Sequence, residues 1–73
     1  MRFKIQATTA FMKGKLGNVR NEWVRVAHAP VVRCDEADPK RDLKLGEPLT
    51  LVESTDGKDW RWVAERNLIP LEN

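Results

Sequence analysis

The chain has no tyrosine, one cysteine and one histidine in its 73 residues. A lone Cys34 excludes an internal disulfide framework, so the fold must rest on its core alone, which fits a reducing cytoplasm. Zinc sites take three or four nitrogen, sulfur or carboxylate ligands, and Cys34 with His28 supplies only two soft ones. No metal and no other cofactor is therefore expected. The same two residues flank Pro30 but lack an orienting third group. They are read as a small core thiol and an ordinary histidine rather than as a nucleophile and its base. Gly14–Asn18 (GKLGN) has neither the spacing nor the Lys-Ser/Thr pair of a phosphate loop. No apolar run approaches the roughly 20 residues that cross a bilayer.

At 8.4 kDa the chain has room for one domain and little interior beyond its own core. That size argues against an enzyme. The opening MRFKIQATTAFMKGKLG is basic but has no continuous apolar block and no small-residue cleavage site, so it is a poor secretory signal. An organellar presequence is the other reading, since no acid precedes Glu22. The expectation is a non-enzymatic, cytoplasmic protein.

Charge and apolar content are ordinary for a folded chain, at 33% and 41%. The charge is unevenly placed. Arg2, Lys4, Lys13, Lys15, Arg20 and Arg25 face Glu22 alone in residues 1–30, and the acidic excess lies beyond. Such polarity either complements itself or offers the basic part to an anionic partner.

MRFKIQA alternates with period two and reads as a half-buried strand. Residues 8–17 fit either a short helix closed at Gly17 or a strand followed by a glycine loop. Residues 23–28 alternate again, with the core face left open, until Pro30 ends the strand. DEADPKRD is a long polar loop. Leu43 and Leu45 lead to Gly46, Leu49 and Leu51 alternate after Pro48, and Asp56-Gly57 marks a turn. Trp60, Trp62 and Ala64 then alternate with Arg61, Val63 and Glu65, and Leu68-Ile69-Pro70-Leu71 closes the chain. About five short strands separated by turns predict an all-β, or mainly β, bent sheet or barrel. Leu45, Leu49, Leu51, Val63 and Ile69 are its expected core, with Val26 joining them.

From about residue 24 to 73 this order resembles a Src-homology-3-like small β-barrel. DEADPKRD stands for the long loop, LKLGE at 43–47 for the diverging turn, and LTLVE at 49–53 for the next strand. STDGKD supplies the acidic turn, WRWVA at 60–64 the tryptophan strand, and LIPLEN the end; VVR at 31–33 is similar to a motif of bacterial members. The resemblance implies one domain over 1–73: a five-stranded barrel at 23–73 with a basic strand or short-helix extension at 1–22. It departs from the peptide-binding members, whose polyproline groove is lined by tyrosines. Of that groove, the resemblance carries over only Trp60 and Pro70, with Asp35, Glu36 and Asp38 as the acidic loop.

Trp60 and Trp62 share a strand face by parity, and two neighbouring indoles do not both fit inside so small a barrel. Exposed tryptophan is enriched at binding hot spots, although it also serves as a lid on a barrel end. The expected partner surface is Trp60, Trp62, Arg61, Pro70, Asp35, Glu36 and Asp38. Its occupant would be a protein, and the chain would act as a regulator or inhibitor of the kind that phages and plasmids encode. The alternatives are a subunit of a larger assembly, or nucleic-acid binding through Lys13, Lys15, Arg20 and Arg25 beside the tryptophans.

Overall fold

A computed structural model describes residues 1–71. The chain runs β1 (Phe3–Ile5), α1 (Ala10–Gly14), α2 (Leu16–Arg20), β2 (Trp23–Arg25), β3 (Val32–Arg33), β4 (Pro48–Ser54), β5 (Trp60–Ala64), a 3-10 turn (Glu65–Asn67) and β6 (Leu68–Pro70). It is mainly β, and every strand pairing is antiparallel. β4 is the hub. It pairs with β5 along one edge, and with β3 and then β2 along the other. β2 continues to β1, and β1 to β6.

This is a six-stranded sheet, where five strands in a closed barrel were expected. It stays open because, among the described residues, β5 pairs only with β4 and β6 only with β1. The added strand is β1. Far from being an appendage, it lies between β2 and β6 and contributes Phe3 and Ile5 to the core.

Residues 8–17 resolve into helix. The Thr9 hydroxyl caps α1 by accepting from the Met12 N–H at 3.1 Å, which satisfies a donor the helix leaves orphaned. Lys15 turns extended and splits α1 from α2. Gly17 is not a cap but sits inside α2. A Cβ there would come within 3.2 Å of the Arg61 guanidinium, so the glycine allows β5 and α2 to approach closely. Met12 and Asn18 are the buried residues of the two helices.

The main core is Phe3, Ile5, Met12, Trp23, Val52, Val63 and Leu68, and a smaller cluster joins Cys34, Leu49 and Ala64. Leu49 and Val63 are buried as expected, whereas Leu51 and Val26 are only half-buried. Leu45 and Ile69 are exposed. Ile69 misses by one residue: β6 aligns Leu68 with Ile5 and Ile69 with Lys4, so Leu68 takes the inward position. Leu45 sits in a turn just before Gly46, whose φ of +84° reverses the chain. Cys34 is buried, His28 is exposed, and no hydrogen bond joins them among the described residues.

Candidate partner-binding surface

β4 and β5 align Leu51 with Trp62 and Glu53 with Trp60, so these four side chains share one face of the hairpin. The opposite face carries Val52 and Val63 into the core. On the first face both indoles reach solvent: Trp60 is 53% exposed and Trp62 43%. The third tryptophan, Trp23, is wholly buried, and its indole N–H has no acceptor among the described residues.

Trp62 borders an open groove of about 710 Å³. The opposite wall is the polar loop, with Asp35, Glu36 and Asp38. The floor comes from the smaller core cluster, where Leu43 packs on Cys34 and Leu49. Asp35 and Glu36 are exposed carboxylates. Asp38 is already engaged: it accepts from Arg41 Nη1 at 2.6 Å and from the backbone N–H groups of Lys40 and Arg41. The Arg41 guanidinium holds the Asp38 carboxyl below its ordinary range.

A salt-bridged clamp sets the position of this loop. Arg66, on the 3-10 turn, donates to Asp42 at 2.8 Å and to Glu47 at 2.9 Å. Asp42 also accepts from the Thr8 hydroxyl at 2.7 Å and from Asn67 at 3.1 Å. The Thr9 hydroxyl donates to the Lys40 carbonyl, tying the loop to the start of α1. Arg66, then Thr8 and Asn67, hold the Asp42 carboxyl far below its ordinary value, and Arg66 does the same to Glu47 to a lesser degree. Asp42 adopts a left-handed φ of +56°, which aspartate tolerates better than most residues.

The remaining expected site residues are dispersed. Pro70 lies on β6 in a separate depression with Met1, Phe3, Val24 and Arg25. Arg61 points away from the tryptophan face, half-buried over the Trp23 ring at 5.4 Å. Arg25 forms a two-pronged ion pair with Glu65 and covers Phe3 at 4.8 Å. Lys13 and Arg20 are exposed on α1 and α2. Lys15 stacks on Phe11 at 5.0 Å. Of these four cations, Arg25 alone is in an ion pair among the described residues.

Sequence reading missed Leu51, Leu43 and Val32 as apolar parts of this surface. The β4 register could have placed Leu51 beside Trp62, because cross-strand partners project from the same face. Among the described residues no group of three or more metal-binding side chains occurs, and no helix is long and apolar enough to cross a membrane. No family model matches the chain, and neither any curated protein nor any solved structure matches it at a significant level.

Proposed function

We propose that this chain is a small non-catalytic binding protein that regulates or inhibits a protein partner by occupying a surface on it. The observation that carries this reading is the shared groove of Trp62 with Asp35, Glu36 and Asp38. An indole anchor beside free carboxylates suits an apolar side chain followed by Arg or Lys on the partner. Trp60 and Leu51 extend the apolar part along the hairpin. The order of hairpin, 3-10 turn and short closing strand supports a divergent Src-homology-3-like architecture. The binding mode would not be the polyproline groove, because Pro70 lies apart from Trp60 and Trp62. The pairing of Arg25 with Glu65 removes one of the four cations a nucleic acid would use, which favours a protein.

The test is capture from a lysate of the source cells, analysed for protein and for nucleic acid. Wild-type protein is compared with Trp62→Ala and with the Asp35→Lys, Glu36→Lys double variant. A protein retained by wild type and lost from both variants supports the reading. Capture unaffected by either change, or nucleic acid as the only retained species, contradicts it.

A further inference from the structure

Trp62 also borders a second concavity of about 220 Å³, lined by residues of β1, the helices, the polar loop and β5. Three cations line it, Lys15, Arg41 and Arg61, and no carboxylate does. Its rings are Phe11 and Trp62, and its floor includes the buried Met12 and Val63. The cations are held in place by the fold. Lys15 Nζ and the Arg41 guanidinium both sit on Phe11, at 5.0 and 4.9 Å from the ring centroid. Arg61 is fixed by the Trp23 ring and by Asn18, whose Oδ1 accepts from Arg61 Nε at 3.3 Å.

Arg41 shares its charge with Asp38. Lys15 and Arg61 have no ion-pair partner among the described residues. The nearby Asp59 carboxylate accepts from Asn21 instead, at 3.4 Å. Like charges gathered over an apolar floor raise the local potential, and a bound anion relieves it. Two guanidiniums and an ammonium suit a phosphate, which offers several oxygens at once, better than a carboxylate. The exposed indole and apolar floor add a surface for a flat ring. The volume falls below the roughly 300 Å³ at which pockets for drug-sized ligands begin, which leaves space for one ring and one anionic group.

We propose that this pocket binds a small aryl phosphate, with its ring on Trp62 and its phosphate shared by Lys15, Arg41 and Arg61. The pocket shares Trp62 with the acidic groove and meets it at the Arg41–Asp38 pair, but its ligand is a different one and the proposal does not depend on the protein-partner reading.

Phenyl phosphate titrated into the protein at low salt, followed by tryptophan fluorescence and calorimetry, tests it. Saturable binding is expected, roughly tenfold weaker in Lys15→Ala and in Arg41→Gln. Lys58→Ala, which removes an exposed turn lysine outside the pocket, should leave it unchanged. Inorganic phosphate and benzyl alcohol should each bind much more weakly than phenyl phosphate. Uridine 5′-monophosphate, which carries a ribose between its base and its phosphate, exceeds the space and should bind more weakly than phenyl phosphate; tighter binding contradicts an aryl phosphate as the ligand. The proposal is overturned by absence of saturation, by equal losses in Lys15→Ala and Lys58→Ala, or by inorganic phosphate binding as tightly as phenyl phosphate.

Discussion

The two faces of the β4–β5 hairpin are both apolar, yet they have opposite fates. On one, Val52 and Val63 meet Phe3, Ile5 and Trp23 and lose nearly all contact with water. On the other, Leu49 and Ala64 are buried against Cys34, but Leu51, Trp60 and Trp62 farther along the hairpin remain half-buried or exposed. Alternation within the hairpin dictates that there are two faces. Which one is covered depends on distant segments, β1, β2 and α1, that pack on one side only. A sheet face that the chain leaves apolar and uncovered is available to something outside the chain.

The sharpest way to break this contrast is to truncate each face in turn and follow unfolding by denaturant. Trp23→Ala removes the largest fully buried side chain and should cost about 3–5 kcal/mol. For a domain of this size that is most or all of the available stability. Val52→Ala should cost roughly 2 kcal/mol, and the chemically larger truncation Leu51→Ala less than about 1 kcal/mol. If Leu51→Ala proves the costlier of the two, the faces have been assigned the wrong way round.

A smaller effect concerns the clamp that holds the acidic loop beside the outer face. The carboxyls of Asp42 and Glu47 are depressed from ordinary values of 3.8 and 4.5. Groups with depressed folded values stabilise the fold above their unfolded values and lose that contribution as pH falls through the folded ones. Thermal melts should therefore stay level from neutrality to about pH 5 and fall below about pH 4. Arg66→Gln should make that acid-side fall shallower, at a cost near neutrality of no more than about 1 kcal/mol, since the guanidinium is 38% exposed. An unchanged acid limb would show that the clamp does not hold the loop. The smallest effect on stability is expected from reversing Asp35 and Glu36 to Lys. Both are exposed, so the melt should hardly move while association with a partner slows and its salt dependence changes.

Much of this contrast was legible in the sequence. Pro48, Asp56-Gly57 and the WRWVA alternation marked the hairpin, and parity put Trp60 and Trp62 on one face but required the exposure of only one of them. The pairing of β1 was not legible, because a three-residue strand carries no mark of its neighbours. Its absence from the expected barrel explains why Phe3, Ile5 and Trp23 were left out of the expected core. Ile69 was placed inside and Leu68 overlooked because a one-residue choice of register reverses every side chain in a strand. The family resemblance set Trp60 beside the acidic loop, whereas Trp62 is the indole that borders that groove. Arg66 could not be assigned from sequence: a guanidinium beside a tryptophan strand suits stacking as well as it suits two carboxylates from a distant loop.

The central claim is that the outer tryptophan face binds and does not stabilise. It is tested most directly by measuring the melt and the partner affinity of the Trp60→Ala, Trp62→Ala double variant together. The expected result is a melting transition close to wild type, with affinity reduced by about 2 kcal/mol or more, roughly thirtyfold. Wild-type affinity in the double variant, or loss of the cooperative melt, would contradict it.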